Sequence, residues 1–124
     1  MVRDERGAFD SPEPESVFDT FDDSVCREIL DVIDEPMSAR EVSEATGIPV
    51  STTYKKLDKL QEASLVSKET QIDPGGHHRA RFVADFDRVI IERGEGGLAV
   101  NIESRMAKAE QQLVDMWATV REQT

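Results

Sequence analysis

The chain has 124 residues, a formal net charge of −11, a single cysteine and 6% aromatic residues. That length suits one compact domain with flexible ends, and so few aromatics imply a small core that a partner chain could help complete. No run of ~18 apolar residues occurs, which excludes an expected membrane-spanning helix. The opening MVRDERGAFDSPEPES has no apolar block and no secretory character, and a lone Cys26 excludes an intrachain disulfide and suits a reducing cytoplasm.

Taken in chain order, residues 1–17 are polar, acidic and carry Pro12 and Pro14, the composition of a disordered tail. Phe18 and Phe21 open the part expected to be ordered. From about Asp22 a helix places Val25, Ile29, Val32 and Ile33 at helical spacing, with Cys26 and Leu30 alongside. Asp22 and Asp23 suit its start, where acids complement the macrodipole, and Pro36 ends the pattern. Ser38 followed by Glu41 is a capping-box signature, opening a helix that buries Val42 and Ala45 and stops at Gly47. Past Pro49, Ser51 is placed to cap the next helix. There Thr53, Leu57 and Leu60 share one face, and Ser51, Thr52, Lys55, Lys56 and Lys59 occupy the other, with Tyr54 on the border.

A hairpin follows: 65–72, a Pro-Gly-Gly turn in DPGGHH, and 79–86, where Ala80, Phe82, Ala84 and Phe86 alternate with Arg79, Arg81, Val83 and Asp85. RVIIE and LAVNIE around Gly94, Gly96 and Gly97 predict a second hairpin. From about Ser104 to Glu122 the steps of three and four in Met106, Ala109, Leu113, Met116 and Val120, with Trp117 beside them, predict a helix. Fewer than three heptads are marginal alone, so this seam is expected to close against its copy in a dimer; intrachain packing or an effector pocket are the other readings of the stripe.

The charge is unevenly spread. Residues 1–36 hold 3 Lys/Arg and 12 Asp/Glu, residues 37–82 hold 7 and 6, and residues 83–124 hold 5 and 8. A near-neutral middle on an acidic body is what a surface facing DNA would give. Abundant Asp and Glu beside five lysines also resembles the composition of proteins from salt-loving cells.

Helix, helix, turn, helix and hairpin is the order of a winged helix. AREVSEATGIPVSTTYKKLDKLQEASLV, Ala39 to Val66, followed by IDPGGHHRARF, resembles the archaeal winged helix-turn-helix transcription regulators of the ArsR/TrmB-like kind. The resemblance covers residues 18–86 well; the second hairpin and final helix resemble the dimerisation arm of haloarchaeal members less specifically. It departs from the pattern at Ser64, where glycine is common at the end of the recognition helix. The resemblance implies an α+β fold with a three-helix core and hairpin wing, an extra hairpin and a C-terminal dimerisation helix, divided as tail 1–17, DNA-binding domain 18–86 and dimerisation arm 87–124. It implies binding to double-stranded operator DNA as a homodimer.

The residues agree with that reading. Small polar side chains early in a recognition helix let the backbone approach base edges, and Ser51 and Thr52 satisfy this; a threonine can also touch a thymine methyl. Lys55, Lys56 and Lys59 lie further along, where they would reach phosphates and position the helix. Tyr54 is either a phosphate-contacting hydroxyl or a packing ring. Arg40, Lys68, His77, His78, Arg79 and Arg81 are the candidate contacts of wing and flank, the alternative being an ordinary exposed turn. Adjacent histidines on an extended segment point to opposite sides and chelate one ion poorly, so no metal is assigned. Cys26 reads as a small buried apolar residue rather than a redox switch. No nucleophile elbow, phosphate loop or zinc-ligand pair occurs, so neither a catalytic site nor a cofactor is assigned. In a salty cytoplasm phosphate pairing would be screened and affinity would rest on uncharged contacts, with Thr52 outweighing Lys56. A protein-interaction module lacking DNA binding, and a sensor gated by a small-molecule effector, are the rival readings.

Overall fold

The capping box at Ser38 shows how closely local chemistry sets the elements. In the computed structural model, which describes residues 9–105, the Glu41 amide donates to Ser38 Oγ (3.1 Å) and the Ser38 amide to Glu41 Oε1 (2.9 Å). Together they satisfy two amides that a helix start would leave orphaned. The elements in order are β1 (Phe9–Asp10), α1 (Pro14–Asp22), α2 (Ser24–Val32), α3 (Ala39–Thr46), α4 (Val50–Glu62), β2 (Val66–Ile72), β3 (His78–Ala84), β4 (Phe86–Gly94) and β5 (Gly97–Ser104). Among the described residues this is an α+β arrangement of four helices and two antiparallel sheets, one ordered β1-β5-β4 and the other the β2–β3 hairpin.

Ordered structure starts earlier than the composition suggested. Pro14 occupies the first turn of α1, where a missing amide costs nothing. Val17 and Thr20 are fully buried, with Thr20 Oγ1 donating to the Ser16 carbonyl (2.7 Å). The expected disordered tail is therefore corrected over 14–17, and β1 already pairs with β5 through Phe9↔Glu103 and Asp10↔Ile102. The expected C-terminal helix and its stripe of Met106, Ala109, Leu113, Met116, Trp117 and Val120 lie outside the described residues.

One core serves both sheets. Val17, Cys26, Ile29, Ile33, Val42, Leu57, Leu60, Leu65, Phe82, Val100 and Ile102 form a single buried cluster. Each large aliphatic side chain removed from water contributes on the order of 1.5–3 kcal/mol. Val100 and Ile102 belong to β5, so the described part of 87–124 is packed into the same core rather than set apart. Phe86 is the first residue of β4 rather than the last of the wing, and its ring meets Phe21 edge-to-face at 6.2 Å. In α3 the buried partner of Val42 is Ala39, and Ala45 is exposed, correcting its expected burial. An isolated bridge pairs Met37 with Phe82: the Met37 amide donates to the Phe82 carbonyl (2.8 Å) and the reverse bond is 2.7 Å. It straps the segment between α2 and α3 onto β3.

The C-terminus of α4 explains the unusual Ser64. The Leu65 amide donates to the Leu60 carbonyl (3.0 Å) and the Ser64 amide to the Gln61 carbonyl (2.9 Å). That is a Schellman closure, sealed by the fully buried Leu60 and Leu65. It requires a left-handed residue at position 64, and Ser64 adopts φ 64° despite its side chain. Ser64→Gly should therefore raise stability by about 1 kcal/mol, read as a higher urea midpoint at unchanged slope. A lower midpoint would mean that the serine side chain outweighs the backbone strain.

Candidate nucleic-acid interface

The turn between α3 and α4 is built to hold one angle. Gly47 ends α3 in the left-handed region (φ 80°), its amide donating to the Ser43 carbonyl (2.8 Å). Ser43 Oγ donates to the Ile48 carbonyl, and the Ile48 amide donates to Thr46 Oγ1 (3.2 Å). The Pro49 carbonyl accepts the first helical bond of α4, from the Thr53 amide (2.9 Å), and a second bond from Thr53 Oγ1 (3.0 Å). Pro49 is consequently the cap and Ser51 is not, a correction to the expected start. Ser51 sits one turn-position inside the helix with its hydroxyl free of capping duty.

With Thr53, Leu57 and Leu60 facing the core, α4 presents an outer stripe of Val50, Ser51, Tyr54, Lys55, Asp58 and Glu62. Tyr54 is 53% exposed, so it stands in the middle of that stripe and is not a packing ring. Thr52 is half-buried on the flank. The N-terminal half of the stripe is small, hydroxylic and aromatic with one cation, whereas the C-terminal half carries two carboxylates. Only the first half has a chemistry compatible with base edges and phosphates.

Lys56 and Lys59, expected among the phosphate contacts, are ion-paired within the chain. They turn along the flank toward the start of α2, where Lys56 Nζ lies 2.7 Å and Lys59 Nζ 3.2 Å from Asp23 Oδ2. The other oxygen, Asp23 Oδ1, accepts from the Val25 (2.9 Å) and Cys26 (3.4 Å) amides and so caps α2. One carboxylate thus joins two helices, and the Lys56 hydrogen bond in particular holds its proton affinity far below the usual carboxylate range. Asp23 is the residue that periodicity missed. Its place before Ser24 announces a cap, but its partners are 33 and 36 positions away.

Because Asp23 is held ionised in the fold, its contribution is fully present above the ordinary carboxylate value of 3.8 and is lost as pH falls below it. We expect the native chain to lose stability more steeply than Asp23→Asn between about pH 4 and 2, checked by thermal melts across that window. Parallel profiles would show that the two lysines do not stabilise the anion. Behind this contact Cys26 is fully buried, and burial pushes its thiol up to about 11, which leaves it inert at neutral pH.

In the β2–β3 hairpin the turn is closed by Asp73, whose Oδ1 accepts from the Gly75 (3.0 Å) and His77 (2.9 Å) amides. Lys68, His77, His78 and Arg79 are exposed along it. Arg81 is not available in the same way: its guanidinium donates to the Pro36 carbonyl (3.3 Å) and to Glu41 Oε1 (3.4 Å), bracing the wing against the capping box. The Ser38 amide bond lowers the proton affinity of Glu41, with Arg81 adding to it. Arg40 is exposed in the first turn of α3. The structure therefore brings Ser51, Tyr54 and Lys55 together on one outer stripe and assigns Lys56, Lys59 and Arg81 to intramolecular pairs. No described helix is long and apolar enough to cross a membrane.

Residues 21–69 match a family model described as a helix-turn-helix domain. The segment spans α2, α3, α4 and the first residues of β2, so the bend pinned by Gly47 and Pro49 is the turn of a helix-turn-helix, and the hairpin after it fits a winged helix. No curated protein matches the chain. A solved structure, a possible transcriptional regulator from Methanosarcina mazei Go1, is similar at 15% identity with a TM-score of 0.46, covering 88% of this chain and 82% of that one.

Proposed function

We propose that this chain is a sequence-specific DNA-binding transcriptional regulator that places the N-terminal half of α4 in the major groove. The observation that carries the reading is the exposed Ser51-Tyr54-Lys55 stripe on a helix whose opposite face, Thr53, Leu57 and Leu60, is locked into the core. Lys68, His77, His78 and Arg79 on the wing, with Arg40 on α3, are the flanking backbone contacts. The regulator acts as a homodimer, in line with the ArsR/TrmB-like resemblance and with an apolar stripe near the C-terminus. It reads a near-palindrome with half-sites ~10 bp apart or a multiple of that spacing. Its chemistry is binding rather than catalysis, in the cytoplasm, and its acidic composition suits a salty one.

Selection of bound fragments from a genomic library, followed by footprinting, tests this. A protected two-fold site is the expected result. Failure to retain any duplex at low salt would sink it.

A second reading has an observation of its own. Val50 is 39% and Tyr54 53% exposed, and Asp58 and Glu62 continue the same stripe. With Lys56 and Lys59 already neutralised, the helix could equally present an apolar-acidic face to a protein partner. That module would bind no DNA, and the same selection separates the two.

A further inference from the structure

We propose that Asp23 acts as a phosphate decoy: it holds Lys56 and Lys59 away from the DNA backbone and thereby suppresses sequence-independent binding. The inference rests on the DNA-binding reading of α4. Three observations carry it. Both ammonium groups converge on one carboxylate oxygen, at 2.7 and 3.2 Å. Neither lysine is sealed in; their side chains keep 28% and 35% of their exposure while that of Asp23 keeps 13%. The carboxylate cannot swing away freely, because its other oxygen is committed to the α2 amides.

A phosphate and this carboxylate offer the lysines the same chemistry, an anionic oxygen at hydrogen-bond distance. The carboxylate is already in place and needs no association, so it wins unless the duplex is held close by other contacts. Non-specific affinity comes almost wholly from neutralised phosphates, with a salt slope of about −0.9 for each. Occupying two of the three lysines of α4 internally therefore removes contacts that would favour every sequence equally. On the outer stripe Lys55 remains as a phosphate contact, beside the hydroxyls of Ser51 and Tyr54, and Ser51 stands at the helix start where base edges are read. Asp23 is in this sense a specificity-determining residue that never touches DNA.

Asp23→Asn is the informative change, because asparagine caps helices as well as aspartate and removes only the charge. Anisotropy with a random-sequence 20-bp duplex across a salt series should show tighter binding by D23N. The slope of log K against log salt should steepen by about 1.8, so that the variant loses roughly tenfold more affinity than the native chain between 50 and 200 mM salt. Adding Lys56→Gln and Lys59→Gln to D23N should abolish the gain, whereas the same pair in the native background should change random-duplex affinity less than twofold. If D23N does not fold, as judged by its melt, Asp23→Ser offers a second uncharged cap. Native binding with an unchanged slope in the uncharged variant overturns the decoy and leaves the DNA-binding reading standing. Absence of duplex binding by both proteins at 50 mM salt overturns both.

Discussion

Leu57→Ala should destabilise the fold by about 2–5 kcal/mol, the largest stability effect expected from a single change in α4. Leu57 is fully buried and lies between Thr53 and Leu60 on the inward face, within the cluster that also holds Ile29, Val42 and Phe82. Truncation removes its transfer free energy and leaves a void that the flanking helices cannot close, because the α3–α4 turn is pinned by Ser43, Thr46 and Thr53. Set against a typical total of about 5–15 kcal/mol, a loss of that size places part of the population in the unfolded state near physiological temperature. Urea denaturation should show a lower midpoint at unchanged slope. Tyr54→Ala, three residues earlier but half-exposed, should stay within about 0.5 kcal/mol. Similar losses at both positions would mean that the inward and outward faces of α4 have been assigned wrongly.

What the sequence made legible was local. The capping box of Ser38 and Glu41, the stop at Gly47 and the alternation of Ala80, Phe82 and Ala84 each depend on residues within a few positions of one another. Each appears in the structure as read. What it hid was tertiary. Lysines at 55, 56 and 59 read as one cationic face, yet two of them pair with an aspartate more than thirty residues upstream, and no period or spacing carries that information. Arg81 read as a wing contact because alternation puts it opposite Phe82; its engagement with Pro36 and Glu41 depends on how the Met37–Phe82 bridge docks the wing on α3. The cap of α4 lies two residues before the expected Ser51, a serine being the better cap in isolation. The Pro49 carbonyl, already aligned by the turn, took the first helical bond instead.

The corrections change the electrostatics of the candidate interface more than its position. Four cations expected along α4 and the inner wing reduce to one on the outer stripe, Lys55, with Lys68, His77, His78 and Arg79 on the hairpin. On the proposed reading, so lightly charged a stripe on α4 would gain little from counterion release, and its affinity would come from fit to the groove. The hydroxyl-rich start of α4 supplies groups for that fit, and the rigid α3–α4 turn reduces the entropy lost when it docks. The expectation read from the sequence rests on screening by salt; the internal pairing of Lys56 and Lys59 is a separate ground for the proposal that uncharged contacts dominate.

Ser51→Glu should abolish specific DNA binding while leaving the fold intact or slightly firmer. Ser51 is exposed in the first turn of α4, and that turn carries no acidic residue. A carboxylate there complements the positive end of the helix macrodipole and should add about 0.3–1 kcal/mol to stability. Against a duplex the same carboxylate meets the phosphates flanking the groove and the acceptor-rich edges of the bases. Like charges brought together at an interface cost several kcal/mol, which corresponds to a loss of more than about 100-fold in affinity. The two readouts move in opposite directions, so a misfolded protein cannot imitate the outcome. A melting temperature at or above that of the native chain, combined with lost binding to the selected fragment, places the start of α4 at the DNA. Retained affinity would move the contact elsewhere on the molecule. Absence of DNA binding by either protein, joined to tighter capture of a basic protein partner by the variant, would favour the apolar-acidic face as a protein-docking surface.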